Sequence, residues 1–234
     1  MARYLRLSDA KRILVVAPHP DDESLGCGGL VAKLAVADRL FHTLFVTDGG
    51  ASHPASLKWP RDRLTVQRER EAAEALHFLG IGGHARTFLR LRDADMPSAK
   101  STEWRAAVAA TAEVLRGFSP DLVLLPWRRD PHCDHRASWH LAQAAIRPTN
   151  ASPLCLEYPI WLDELGTADD YPRPGEAERV AVDISSELAC KRGAIAAHRT
   201  QTTSLIDDDP NGFRLLPKTM DRLTGTIESY YWVK

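Results

Sequence analysis

Short apolar segments alternate with helical segments through about the first 150 residues, and this alternation constrains the fold more than any other feature. The first apolar segment, Arg12–Ala17 (RILVVA), is continuous and rich in β-branched residues, as is typical of a strand buried on both faces. Residues 41–47, 86–89 and 121–125 predict three further strands. Because a helical segment separates each strand from the next, we expect parallel strands joined by right-handed crossovers.

The helical segments and the second half of the chain complete this pattern. Apolar residues at helical spacing predict four helices, at residues 25–37, 65–79, 102–117 and 138–146. Beyond a stretch punctuated by prolines, residues 180–184 and 226–233 predict two strands, and residues 185–198 predict a helix. Since no linker divides the chain, we expect a single domain over residues 1–234, with an α/β fold. That fold is a Rossmann-like, mostly parallel sheet with helices on both faces.

Charge and composition exclude several classes of partner. The chain has 30 Lys and Arg against 31 Asp and Glu, a formal net charge of -1, so no basic excess indicates a nucleic-acid partner. Its apolar stretches reach about ten residues, well short of the roughly 20 that a membrane span requires. The apolar run near the N-terminus leads into charged residues without a cleavage site, so we expect a cytoplasmic protein. The four cysteines form no CxxC pair, which favours free thiols.

Two polar clusters follow predicted strands at the point where each strand ends. Residues 18–23 (PHPDDE) follow the first strand, and residues 130–135 (DPHCDH) follow the strand at 121–125. Because ligands bind beyond the carboxyl ends of strands in open α/β sheets, both clusters should lie at one edge. Two histidines and one carboxylate suit Zn²⁺ or Fe²⁺, and a further carboxylate is left for hydrolytic chemistry. Alternatively, an aspartate of the first cluster caps a helix, and the two histidines of the second are a surface coincidence.

The residues of these clusters resemble the signature motifs of the PIG-L/LmbE deacetylases. Residues 17–23 (APHPDDE) match the family's first motif. Residues 132–135 (HCDH) match its HPDH motif, with Cys133 where proline is usual. A third match, at residues 68–80, is the family's RxxExxxAxxxLG helix, and a weaker fourth lies at residues 191–201. Together the matches extend over most of the chain.

This resemblance implies a metal-dependent hydrolase that removes an N-acetyl or other N-acyl group through a metal-activated water. It implies Zn²⁺ as the usual cofactor, with Fe²⁺ as the alternative, and a small-molecule N-acylated sugar or conjugate as the partner. The family's metal ligands match His19, Asp22 and His135. Its general base matches Asp21, and the histidine that stabilises the oxyanion or protonates the leaving amine matches His132. Its substrate contacts match Arg68 and, through a loose alignment, Asp93. His198 belongs to the fourth match and is either a substrate-binding residue of the pocket or a packing histidine.

Two other functions are compatible with the sequence. One is a non-catalytic carbohydrate-binding or regulatory protein on the same fold, and the other is a hydrolase of a different small amide. The first is disfavoured because every matched ligand and the general base are present. A dehydrogenase is disfavoured because no GxGxxG motif follows the first strand. The loops at residues 52–62, 90–101 and 158–174 carry no motif, so the substrate is left open, as is the oligomeric state, a homo-oligomer included.

Three expectations concern the surroundings of the two clusters. Asp134 holds the ring of a neighbouring histidine or, alternatively, is a solvated loop carboxylate. The loop that follows the second predicted strand shapes the pocket, and within it Ser52 and His53 are the candidates to face the substrate. The tryptophans outside the motifs are interpreted as packing residues: Trp59, Trp104, Trp139, Trp161 and Trp232.

Overall fold

The computed structural model describes residues 7–36, 38–149 and 152–233, and seven strands in these residues form one sheet. In chain order the strands are β1 (Arg12–Ala17), β2 (Leu40–Thr47), β3 (Ala85–Leu91), β4 (Leu122–Pro126), β5 (Leu154–Tyr158), β6 (Ala177–Asp183) and β7 (Ile227–Val233). The helices are α1 (Asp22–Leu34), α2 (Arg61–Phe78), α3 (Thr102–Phe118), α4 (Cys133–Ile146), α5 (Leu162–Leu165), α6 (Leu188–Ala197), α7 (Arg199–Thr202) and α8 (Pro217–Leu223). Short 3-10 helices lie at Leu7–Asp9, Arg147–Thr149 and Ala168–Asp170. None of the described helices is long and apolar enough to cross a membrane.

The strands lie in the order β3-β2-β1-β4-β5-β7-β6. The first five strands in this order, β3, β2, β1, β4 and β5, run parallel. β7 pairs antiparallel with both β5 and β6. The chain moves outward from β1 to β2 and β3, and then returns to add β4 on the other side of β1. The loops after β1 and β4 therefore open side by side, at the kind of strand-order reversal where open α/β sheets bind ligands.

Apolar layers cover both faces of the sheet. Successive side chains of β1 point to opposite faces, and almost all of them are buried. Ile13 and Val15 pack in one layer with residues of α1, α2 and α6. Leu14 and Val16 pack in the other layer with residues of α3 and α4. The prediction of a Rossmann-like sheet with helices on both faces is confirmed.

Three helices begin earlier than the sequence pattern indicates, and one of them is α2, which begins at Arg61 rather than at residue 65. α1 begins at Asp22 rather than at residue 25, and α4 begins at Cys133 rather than at residue 138. Hydrophobic periodicity does not mark these first turns because polar residues occupy them. At α4, the imidazole of His132 accepts a hydrogen bond from the backbone N–H of Asp134 and so caps the helix. Residue 37, the last residue of the helix predicted at 25–37, lies outside the described residues.

Strand β5 lies in the stretch that the sequence pattern indicates as loop. Its sequence, LCLEY, contains Glu157, which interrupts the apolar run that a central strand usually shows. Glu157 is nevertheless buried, because it pairs with Arg128 and accepts a hydrogen bond from Trp139 Nε1 at 2.9 Å. A paired charge can therefore occupy a strand position that sequence alone assigns to solvent.

Candidate active site

The residues predicted as metal ligands lie together where the loops after β1 and β4 meet. One carboxylate oxygen of Asp22, Oδ2, lies 3.0 Å from Nδ1 of His19 and 3.3 Å from Nε2 of His135. All three side chains are almost completely buried. Asp22 is the first residue of α1, and His135 lies in the first turn of α4. The two helix starts therefore fix one carboxylate between two imidazoles.

The outer nitrogen of each imidazole faces a second carboxylate. His19 Nε2 lies 3.1 Å from Asp134 Oδ2, and His135 Nδ1 lies 3.3 Å from Asp130 Oδ1. Carboxylates in this position orient metal-binding histidines and increase the basicity of the ligating nitrogen. Of the two alternatives for Asp134, the structure supports the partner of a histidine. The sequence analysis assigned no role to Asp130, although this residue begins the second polar cluster.

The buried nitrogens of His135 test whether these residues fit a cation. Among the described residues, neither nitrogen of His135 has a hydrogen-bond partner of good geometry, although the ring is fully buried. An unsatisfied buried polar atom costs free energy, and a cation beside Asp22 would remove that cost. Imidazole nitrogens and a carboxylate oxygen are ligands that Zn²⁺ and Fe²⁺ accept in catalytic sites. The residues present therefore fit a divalent metal.

The carboxylates make the site strongly attractive to positive charge. Burial alone lowers the pKa of His135, but Asp22 and Asp130 outweigh it and raise this pKa to about 10. Burial likewise lowers the pKa of His19, yet hydrogen bonds to Asp134 and Asp22 raise it well above its ordinary value. Burial raises the pKa of Asp22, but the two imidazoles hold it well below its usual range. A bound cation would take the place of the protons that these imidazoles otherwise carry.

His132 lies close to the centre formed by His19, Asp22 and His135, but it presents a hydrogen-bond donor to this centre. One nitrogen from each of His19, His132 and His135 lies within 4.8 Å of the others. However, His132 Nδ1 accepts a hydrogen bond from the backbone N–H of Asp134 at 3.2 Å, so the neutral ring carries its hydrogen on Nε2. Burial and the nearby imidazole of His19 lower the pKa of His132 to about 4, which favours this neutral form. An Nε2 that carries hydrogen is a donor and not a metal ligand.

Asp21 and Arg68 form a buried ion pair beside the centre. Arg68 Nη2 lies 3.0 Å from Asp21 Oδ2. The guanidinium also donates to the carbonyl oxygens of Gly49, at 2.8 Å, and Pro20, at 2.9 Å. Gly49 has a φ of +63°, and a Cβ there would lie 2.7 Å from Arg68 Nη1, so this close approach requires glycine. Burial raises the pKa of Asp21 to about 6, although Arg68 pulls it down.

Comparison with known families agrees with this geometry. The family profile described as PIG-L, GlcNAc-PI de-N-acetylase, matches residues 14–146, which is more than half of the chain. The chain belongs to the PIG-L family. The matched segment includes most of β1, all of β2 to β4 and both polar clusters, so it contains every residue of the site described above.

Similar proteins include named deacetylases. The PIG-L chain is 28% identical over 244 residues to a 1D-myo-inositol 2-acetamido-2-deoxy-alpha-D-glucopyranoside deacetylase of Rhodococcus opacus, with 82% of each chain covered. It is 29% identical to a 2'-N-acetylparomamine deacetylase of Streptomyces fradiae, covering 86% of this chain and 71% of that protein. The solved structure of an N,N'-diacetylchitobiose deacetylase from Pyrococcus horikoshii matches with a TM-score of 0.64 and 25% identity, covering 82% of this chain and 71% of the other.

A cavity of about 360 Å³ opens beside the PIG-L motifs. Its polar lining includes six of the residues predicted for the site: His19, Asp21, Asp22, Arg68, Asp93 and His132. Asp93 Oδ1 lies 3.3 Å from His19 Nε2, and Asp93 Oδ2 accepts a hydrogen bond from the backbone N–H of Ala51 at 2.8 Å. Of the two alternatives in the loop after β2, Ser52 lines the cavity.

His198 lies behind the cavity wall. It is fully buried, and its Nε2 lies 2.8 Å from Oε1 of Glu23. Ser24 Oγ donates to the same carboxylate oxygen at 2.6 Å. Because Glu23 and Ser24 belong to the first turn of α1, His198 can hold the turn that carries Asp22. Contact between His198 and the substrate stays a prediction.

The sequence analysis missed the apolar part of the cavity lining. Trp161, which was interpreted as a packing residue, lines the cavity together with Leu165 and Phe213. Gln201 also lines it, and Oε1 of this buried side chain has no hydrogen-bond partner among the described residues. Periodicity and motif spacing carry no signal for these residues, since the fold brings them together from segments that are far apart along the chain.

Proposed function

We propose that this PIG-L protein is a divalent-metal-dependent N-deacetylase that acts on an amino-sugar-type substrate, with zinc as the metal. The observation that carries the proposal is the Asp22 carboxylate between the inner nitrogens of His19 and His135. The outer nitrogen of each of these rings faces a further carboxylate. The deacetylase activity named for similar proteins supports the same reaction.

The proposed metal ligands are His19, Asp22 and His135. Three protein ligands leave room for solvent and substrate, as in catalytic rather than structural zinc sites. A divalent metal held there supplies Lewis-acid polarisation of the amide carbonyl and makes water acidic enough to be deprotonated near neutral pH. Asp130 and Asp134 keep the two imidazoles oriented with their inner nitrogens toward Asp22.

Asp21 is the proposed general base. Its carboxylate lines the cavity, and the ion pair with Arg68 fixes its orientation. A general base works best when its pKa lies near the working pH. Asp21 takes a proton from the attacking water, whose oxygen bonds to the carbonyl carbon. The same carboxyl group then donates this proton to the nitrogen as the C–N bond breaks, so that a free amine and a carboxylic acid are formed.

His132 is the proposed donor to the developing oxyanion. Its neutral ring presents Nε2–H because Nδ1 is held by the backbone of Asp134. A fixed donor of this kind stabilises the negative charge that forms on the carbonyl oxygen when water adds. Of the two roles that the family resemblance allows for His132, this geometry favours stabilisation of the oxyanion over protonation of the leaving amine.

Asp93 and Arg68 are the proposed polar contacts for the sugar. Both line the cavity, and the carboxylate of Asp93 lies beside His19 at the centre. A carboxylate accepts hydrogen bonds from sugar hydroxyls, which fixes the ring relative to the scissile amide. The guanidinium of Arg68 already binds Asp21, Gly49 and Pro20, so its main contribution is to the position of the base.

The direct test is amine release from a panel of N-acetylated sugars by the metal-loaded protein. The panel contains N-acetylglucosamine, N-acetylglucosaminyl-inositol, diacetylchitobiose and an N-acetylated aminocyclitol glycoside. We expect free amine from at least one member, with the Asp21→Asn protein as the matched inactive control. Binding of sugars without amine release would contradict the proposal and favour a non-catalytic carbohydrate-binding protein.

A further inference from the structure

One wall of the catalytic cavity is apolar and partly open to solvent. It consists of Trp161, Leu165 and Phe213, which we call the apolar wall. Leu165 is 62% exposed and Phe213 is 40% exposed. The rings of Trp161 and Phe213 meet edge to face with centroids 6.0 Å apart. Apolar side chains grouped in this way at the mouth of a cavity mark a surface that a ligand covers.

The apolar wall is anchored to the same framework as the metal ligands. Asp130 Oδ2 accepts a hydrogen bond from the backbone N–H of Trp161 at 3.0 Å, while Oδ1 of the same carboxylate faces His135. The backbone N–H of Phe213 donates to the carbonyl oxygen of Ser52 at 2.6 Å. The wall is therefore held at a fixed position relative to the site of reaction, which is a requirement for a specificity pocket.

The sheet order separates two residues of this wall, Trp161 and Leu165, from the polar side of the cavity, whereas Phe213 meets Trp161 from a segment bonded to Ser52 in the loop after β2. Asp93 follows β3 and Arg68 lies on α2, which follows β2, so both belong to the side of the sheet beyond β1. Trp161 and Leu165 follow β5, which lies beyond β4 on the opposite side. The proposed metal centre lies between the two sides, at the junction of β1 and β4. A substrate that spans the centre therefore meets polar groups on one side and apolar groups on the other.

We propose that the apolar wall binds the acyl group of the substrate and that this enzyme prefers N-acyl groups longer than acetyl. The inference rests on the proposed function. The reacting carbonyl carbon carries two substituents: the sugar, attached through the scissile C–N bond, and the chain of the acyl group. These two substituents extend from the carbon in different directions. With the sugar hydroxyls at Asp93, the acyl chain extends past the centre toward Trp161, Leu165 and Phe213. An acetyl group is too short to cover a wall of three large side chains.

The expected effect is a rise in kcat/KM with acyl chain length. Burial of each added methylene against an apolar surface increases binding roughly twofold to fourfold. Hexanoyl has about four more methylenes than acetyl, so kcat/KM on otherwise identical N-acylglucosamines should increase roughly 16-fold to 250-fold.

The test measures amine release from glucosamine carrying acetyl, butyryl, hexanoyl or benzoyl groups, with the metal-loaded full chain. The variants are Leu165→Ala and Phe213→Ala, whose side chains are exposed enough for the fold to tolerate truncation. Each should lower the ratio of hexanoyl to acetyl kcat/KM at least threefold. Leu57→Ala is the matched control, because Leu57 is 92% exposed and lies outside the cavity lining; its ratio should equal that of the unaltered protein.

A second set of substrates tests whether the apolar wall binds the acyl group or an apolar aglycone on the sugar. Methyl, octyl and phenyl N-acetylglucosaminides carry the apolar group on the sugar instead. One outcome would overturn the assignment to the acyl group: kcat/KM rises with octyl or phenyl aglycones but not with longer acyl groups, and Phe213→Ala abolishes that rise. Hydrolysis of the acetyl substrate with no rise along the acyl series would overturn it as well, while leaving the deacetylase proposal intact. Failure to hydrolyse any member of either set would contradict the deacetylase proposal itself.

Discussion

Arg68 holds Asp21 by a 3.0 Å contact between Nη2 and Oδ2, and it also donates hydrogen bonds to the carbonyl oxygens of Pro20 and Gly49. One buried guanidinium thus links the loop after β1 to the loop after β2. Because the fork of the guanidinium has several donors in fixed directions, it can fix the carboxylate and both backbones at once. The base is positioned by this network rather than by the proposed metal ligands.

Replacement of Asp21 by asparagine should separate catalysis from metal binding. The amide has nearly the same shape as the carboxylate but cannot accept a proton from water. We expect kcat to fall by roughly 10²- to 10⁴-fold, the range for a positioned acid–base group, with the metal content unchanged. Elemental analysis and steady-state kinetics on the same sample check this. Loss of metal in Asp21→Asn would mean that Asp21, and not Asp22, is the ligand.

Replacement of Arg68 by lysine should lower kcat more than it raises KM. A lysine keeps the charge but cannot reach Asp21, Gly49 and Pro20 together, so the base loses its fixed orientation. A small displacement of a catalytic group costs roughly 10- to 100-fold in kcat. Arg70→Lys, at an exposed position of the same helix, is the control. A rise in KM at unchanged kcat would instead assign Arg68 to the substrate alone.

Two variants of His132 distinguish its donor role from its capping role. Asparagine accepts the hydrogen bond from the backbone of Asp134 but does not present Nε2–H to the cavity, whereas alanine does neither. Both should retain metal and lose roughly 10²- to 10³-fold in kcat, as for removal of an oxyanion donor. Only His132→Ala should also lose about 1 kcal/mol of the free energy of unfolding, measured by chemical denaturation. Metal loss equal to that of His135→Ala would identify His132 as a ligand.

Asp130 should contribute to metal affinity without being a ligand. Its carboxylate faces His135 Nδ1 and also accepts hydrogen bonds from the backbone of His132 and Trp161. Asp130→Asn should weaken metal binding roughly 10- to 100-fold, as measured by competition with a chelator. Asp95→Asn, at a largely exposed carboxylate, should leave the affinity unchanged. Equal affinities in Asp130→Asn and the unaltered protein would exclude the orienting role.

The sequence predicts the parts of the site that lie in short contiguous motifs. His19 and Asp22 come from one turn, and His132 and His135 from another, so their convergence requires only that two neighbouring parallel strands end at the same edge. The alternation of strands and helices is likewise predictable from the sequence, because buried parallel strands are continuously apolar. The sequence does not predict β5, because the paired charge of Glu157 interrupts its apolar run.

Contacts between loops that are far apart along the chain could not be predicted from the sequence in the same way. Asp93 reaches His19 only because of how the loop after β3 folds back, and local spacing does not encode that conformation. Phe213 joins Trp161 from a loop in the last part of the chain, so neither residue is marked as a cavity residue by its neighbours in sequence. Tertiary packing decides which of several exposed aromatic or apolar residues face the same space.

Metal removal and restoration test the central claim most directly. The protein should hold about one divalent metal per chain, and dialysis against a chelator should remove both the metal and the release of amine from an N-acylated amino sugar. Added Zn²⁺ or Fe²⁺ should restore both in the unaltered protein but neither in the His19→Ala/His135→Ala double variant. Full amine release by the metal-free protein, or full metal occupancy in the double variant, would contradict the account.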